Sequence, residues 1–136
     1  MTTRRQARRV AIDILYQADL TDAPVERVVA DWRAAGREVP EFAVELATGV
    51  EEHQPEIDLL LEEHSEGWTV ARMAALDRTI LRVGVYELQH RPDVPPSAAI
   101  SEAVEAASEL SSESSKAYVN GILGAIAREG GGSGAP

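Results

Sequence analysis

Four arginines crowd the start of the chain. Arg4, Arg5, Arg8 and Arg9 stand within the first nine residues with no acid among them, while all 23 acidic residues lie further on. The net charge of −10 therefore hides one basic handle on an acidic body, and it is the position of charge that decides whether a phosphate backbone can bind. Ala7, Val10, Ala11, Ile14, Leu15 and Ala18 recur at helical spacing around these arginines and predict one apolar stripe. At about 100° per residue, with Arg4 at zero, the stripe centres near roughly 300°, and Arg8, Arg5 and Arg9 fall at about 40°, 100° and 140°. The arginines are thus expected on the face turned away from the core. Tyr16 falls at about 120°, on the same track. Guanidinium forks neutralise phosphates and an exposed ring offers a base a stacking surface, so the pattern suits single-stranded nucleic acid. A solvated basic terminus, with the tyrosine covered by another helix, fits the same spacing.

A second group surrounds Lys116, the one lysine of the chain, with Tyr118 close by. Lys116 is expected in the first turn of a helix, where unpaired backbone N–H groups favour anions. Asn120 and Gly121 are costly residues inside a helix; a buried, hydrogen-bonded asparagine and a glycine allowing close helix contact are the expected reasons. Enzymatic chemistry finds little support. His53, His64 and His90 stand too far apart in sequence to form a local ligand pair, so no metal site and no cofactor are expected. Glu51-Glu52 and Glu62-Glu63 read as solvated helix ends rather than catalytic pairs. No glycine-rich phosphate loop of the G-x-x-x-x-G-K or G-x-G-x-x-G type occurs, and no catalytic residue is assigned.

These groups need elements to hold them. The 136 residues suit one domain; 44% are hydrophobic and 26% charged, the balance of a globular chain. There is no cysteine, so no disulfide or thiolate chemistry is available and a reducing cytoplasmic location fits. No targeting segment or membrane anchor is expected. After the first helix, Pro24 should open a second helix that runs past Trp32 to Gly36, Pro40 a third with Phe42, Leu46 and Val50, and Pro55 a fourth ending before Gly67. Leu76 to His90 is apolar nearly all round and reads as the central helix. Arg91 to Pro96 reads as a rigid link, because each proline biases its predecessor to an extended conformation. Ile100, Ala103, Val104, Ala107 and Leu110 mark a sixth helix, Ser111 to Ser115 a break, and Val119, Ile122, Leu123 and Ile126 a last helix. The expectation is all-α, with six or seven helices over 1–129 and a flexible glycine-rich tail over 130–136.

The motifs in order resemble a known family. Arg4-Arg5-Gln6-Ala7-Arg8 with Leu15-Tyr16, Leu76-Asp77-Arg78-Thr79-Ile80-Leu81-Arg82-Val83-Gly84-Val85-Tyr86-Glu87-Leu88, Val94-Pro95, Ile100-Ser101-Glu102-Ala103-Val104 and Tyr118-Val119-Asn120-Gly121-Ile122-Leu123 resemble the bacterial transcription antitermination factors of the NusB family. The resemblance implies a single compact domain of two small packed helical bundles. It also implies binding to the box A element of nascent ribosomal RNA as a heterodimer with NusE, a small-subunit ribosomal protein that links the complex to RNA polymerase. Carried over by position, Arg4, Arg5, Gln6, Arg8, Arg9, Tyr16, Lys116 and Tyr118 are the implied RNA-binding residues, and Asp77 the implied partner-binding residue. Gln6 stands where the family can carry a further basic residue and Ser114 where it can carry an acid.

Rival readings remain. A relative of the RNA-binding domain of ribosomal RNA cytosine methyltransferases would need an α/β domain downstream. In a helix-turn-helix regulator, Glu102, Glu105 and Glu109 would face the major groove and be repelled. A homodimeric helical adaptor with a masked arginine face also fits the apolar stripes.

Overall fold

A computed structural model describes residues 2–131, and among them the regular structure is helical throughout. The chain divides into two compact units, Met1–Glu52 and His53–Pro136. The first unit holds three helices. α1 (Arg4–Thr21) starts at Thr3, whose side chain accepts from Gln6 N–H while the Gln6 side chain accepts from Thr3 N–H, closing a capping box on the sequence T-x-x-Q. α2 (Val25–Ala34) follows Pro24 and α3 (Glu41–Glu52) follows Pro40. Gly36, at φ +87°, supplies the left-handed turn that separates them. α1 packs against both α2 and α3, burying Ala11, Ile14, Val28, Leu46 and Val50.

The second unit runs α4 (Gln54–Glu63), a 3-10 turn (Val70–Arg72), α5 (Ala75–His90), α6 (Pro96–Leu110), α7 (Glu113–Ile126) and a π-helical turn (Ala127–Gly131). Within this unit α5 touches α4, α6 and α7, which explains why it is apolar nearly all round. Ile57, Leu61, Ile80, Leu81, Val85, Leu123 and Ile126 form the core. The polar exceptions on α5 have partners: Arg82 Nε and Nη2 donate to Asp58 Oδ1 and Oδ2 of α4 at 2.8 and 2.9 Å. Gly84 marks a close approach of α5 to α7, because a Cβ built there would lie 2.7 Å from Leu123 Cδ1.

Three boundaries differ from the sequence reading. Pro96 is the first residue of α6 rather than the end of the link, since proline lacks only an N–H that the first turn leaves unpaired anyway. The serine break shrinks to Ser111 and Ser112, because Ser112 caps α7 by accepting from Ser115 N–H at 3.1 Å. Helical structure continues to Gly131, and the remaining tail positions, 132–136, lie outside the described residues. No described helix is long and apolar enough to cross a membrane.

Candidate nucleic-acid interface

In the first unit, α1 carries Arg4, Arg5, Arg8, Arg9 and Tyr16 within one rigid segment. Arg4, Arg5 and Gln6 are exposed, and Arg9 and Tyr16 half-buried. Arg8 departs from the helical-wheel expectation: it is 9% exposed. Two helices pack on α1 instead of one, so the buried arc widens past the apolar stripe and takes in Arg8 together with Ile12. Phe42 of α3 receives this edge. The Arg4 guanidinium lies 4.5 Å and that of Arg8 5.6 Å from its ring centroid, a cation–π arrangement that orients two arginines at the start of α1. By sequence Phe42 is an apolar residue of the third helix, and nothing in its local spacing marks the arginine contact.

Tyr16, towards the far end of α1, borders a cavity of about 370 Å³ lined also by Asp13, Gln17, Leu20, Trp32 and Arg37. Trp32 Nε1 donates to Gln17 Oε1 at 3.0 Å, and the Arg37 guanidinium lies 3.6 Å from the Trp32 ring centroid. Burial pushes the Asp13 carboxyl up from its ordinary value, and the Arg37 charge opposes that shift. Arg37 thus places a further exposed cation beside Tyr16, at a position that stands alone between two helices and that no sequence periodicity marks.

In the second unit, Asp77 and Tyr118 come together. Both line a cavity of about 360 Å³ with Trp68, Arg72, Met73 and Ser115. Ser115 Oγ donates to Asp77 Oδ2 at 2.9 Å, whereas the buried Asp77 Oδ1 has no hydrogen-bond partner in the structure. Burial, and secondarily the Asp77 charge, raise the Tyr118 hydroxyl pKa above its ordinary value, so the phenol keeps its proton as a donor. Trp68 is 51% exposed, with the Arg72 guanidinium 5.5 Å from its ring centroid. An exposed aromatic and a cation therefore flank Asp77 from a turn that carries no helical periodicity. Lys116 is exposed on α7 and does not line this cavity.

Two expectations on α7 fail. Asn120 is exposed rather than buried, and a Cβ on Gly121 would meet nothing within 4 Å. The inward face of α7 is set by Val119, Ile122, Leu123 and Ile126, which turns both outward. The acidic pairs are exposed as expected, yet Glu51 Oε2 accepts from Val25 N–H at 2.9 Å and Glu62 Oε2 from Val70 N–H at 2.8 Å. These carboxylates serve as caps for neighbouring elements.

The histidines also regroup. His53 and His90, distant in sequence, stack with ring centroids 4.0 Å apart, and Glu56 reaches both. They are the residues able to hold a metal among those described.

The NusB family model matches residues 5–128. The transcription antitermination protein NusB of Rubrobacter xylanophilus is 46% identical over 121 residues, covering 89% of this chain and 87% of that protein. Its counterpart in Thermobifida fusca is 48% identical over 123 residues, covering 89% and 86%. Among solved structures, NusB of T. maritima superposes with a TM-score of 0.85 at 30% identity, covering 99% of this chain and 94% of that one. A chain from the crystal structure of antitermination factors NusB and NusE in complex with dsRNA gives 0.82 at 26% identity, covering 93% and 96%. With Arg5, Arg8 and Arg9 of the arginine-rich start and the motifs of α5 and α7 inside the matched span, the chain belongs to the NusB family.

Proposed function

We propose that this protein is a non-catalytic transcription antitermination factor that binds the box A element of nascent ribosomal RNA together with NusE, and so couples that RNA to RNA polymerase in the cytoplasm. The observation that carries the reading is the exposure of Arg4, Arg5 and Gln6 at the start of α1 in a chain of this family. Guanidinium groups there pair with phosphates and fix the register of the RNA. Tyr16, with Arg37 at its side, and Tyr118 supply half-exposed rings on which unpaired bases stack, which favours a single-stranded target. Arg9 adds positive charge from the same helix and Lys116 from α7. Arg8 acts differently from the exposed arginines: it is held against Phe42 and supports the others by fixing the edge of α1.

Asp77 marks the NusE side of the same reading. Ser115 holds the Asp77 carboxylate at the wall of the cavity it shares with Trp68, Arg72 and Tyr118, where a partner side chain can enter. The acidic body, which outweighs the basic start to leave the chain at net −10, attracts a basic ribosomal protein and discourages indiscriminate RNA binding.

The test is binding to a box A oligonucleotide, a scrambled strand and a duplex of the same sequence, with and without purified NusE, at two salt concentrations. Preferential binding to single-stranded box A that NusE strengthens and salt weakens is the expected result. Equal affinity for the scrambled strand, with and without NusE, would remove this reading and favour the homodimeric adaptor, whose mass light scattering would report.

A further inference from the structure

The turn into α4 and the last turn of α5 bring two imidazoles and a carboxylate together on the second unit. His53 Nδ1 lies 3.1 Å and His90 Nε2 2.9 Å from the same oxygen, Glu56 Oε1. We propose that His53, Glu56 and His90 form a binding site for a divalent transition-metal ion of the zinc type, with solvent completing the coordination.

The donor set is the first ground. Two neutral imidazoles and a carboxylate match zinc and its neighbours in the first transition row, whereas calcium and magnesium require oxygen ligands. Spacing is the second. Around a tetrahedral ion with bonds of about 2.0–2.1 Å, adjacent donors stand about 3.3 Å apart. Here one donor atom from each residue lies within 4.8 Å of the other two, and both nitrogen–oxygen separations are already inside the tetrahedral spacing.

The support of the three side chains is the third ground. Ile57, next to Glu56, and Leu88, two residues before His90, are at most 2% exposed, and the Arg82–Asp58 pair clamps α4 to α5 nearby. The backbone positions are therefore fixed by packing that owes nothing to the histidines. Tyr86 extends the ring stack, its centroid 5.2 Å from His90 and 6.0 Å from His53, and walls one side with an aromatic surface.

The stacked rings are inclined by 21°, so an ion in the plane of both requires at least one imidazole to turn about χ2. Side-chain exposures of 37% for His53 and 30% for His90 leave room for that rotation and for a water ligand. Binding thus replaces the His90–Glu56 hydrogen bond and the His53–Glu56 contact with three coordinate bonds, each imidazole carrying its proton on the ring nitrogen that does not coordinate, and ties the start of α4 to the end of α5. An ion that binds only the folded chain stabilises it by mass action.

The absence of cysteine makes the test clean, because His64 is the one other histidine and sits elsewhere on α4's C-terminal side. The full-length chain without a histidine tag is titrated with cobalt(II), read by visible absorption, and with zinc, read by thermal unfolding. One equivalent of cobalt should bind the wild type and His64→Ala alike, while His53→Ala, His90→Ala and the conservative surface change Glu56→Gln each weaken binding at least about tenfold. Saturating zinc should raise Tm by about 4 °C or more in the wild type and not in His90→Ala. Circular dichroism confirms that each variant is folded. No saturable uptake by folded wild type, or undiminished affinity in both His53→Ala and His90→Ala, would overturn the proposal.

Discussion

At the scale of single residues, His64 shows how one contact couples proton binding to stability. Its Nδ1 lies 2.8 Å from the Leu60 carbonyl oxygen, which can only accept, so that nitrogen carries a proton. Nε2 faces Glu129 Oε2 at 3.1 Å, where a second proton is favoured. The backbone hydrogen bond is the main cause of a raised His64 pKa; burial opposes it, and Glu129 and Glu63 add to it. A folded pKa above the unfolded value of 6.5 means that the contribution is fully present below pH 6.5 and is lost as pH rises through the folded pKa. Urea unfolding at pH 5.5 and pH 8 should therefore show a loss of stability in the wild type that is smaller in Glu129→Gln. Arg82 offers a contrast without a titration. Its fork–fork pair with Asp58 is largely enclosed, and Asp58→Ala strands a guanidinium, with an expected cost of about 3 kcal/mol in chemical denaturation.

At the scale of elements, the helices were legible because punctuation and periodicity agree. Pro24, Pro40 and Pro55 sit at helix starts, and Gly36 and Gly67 take the left-handed turns that separate elements. What stayed hidden depends on which helices meet. Arg8 looked outward on a wheel drawn for one neighbour and is covered because α1 has two. Asn120 and Gly121 looked like contact residues, yet the close helix contact belongs to Gly84, whose neighbour Leu123 is fully buried and has nowhere to retreat. Gly84→Ala should cost about 1–3 kcal/mol despite the better helix propensity of alanine, as measured by thermal or urea unfolding. Of the candidate site, the arginine cluster and Tyr16 could be read from sequence, whereas Phe42, Arg37, Trp68 and Arg72 could not, because their roles rest on contacts between elements.

At the scale of the whole molecule, the four arginines of the first nine residues stand apart from an acidic remainder. A net charge of −10 with a basic first turn predicts that RNA affinity depends on few phosphate contacts. Arg5→Glu should weaken box A binding and lower the log–log salt slope by about one or more, while Tyr16→Ala should weaken binding with little change in slope. Unchanged binding in both variants, with helical content intact, would remove α1 from the interface. The contact between Gly84 and Leu123 has a consequence on a longer clock. A lineage that acquires a methyl group at 84 must trim the side chain at 123, so the two positions drift as a linked pair. In natural relatives alanine at 84 should keep company with a shorter residue at 123, and the double change should tolerate what neither half of it does.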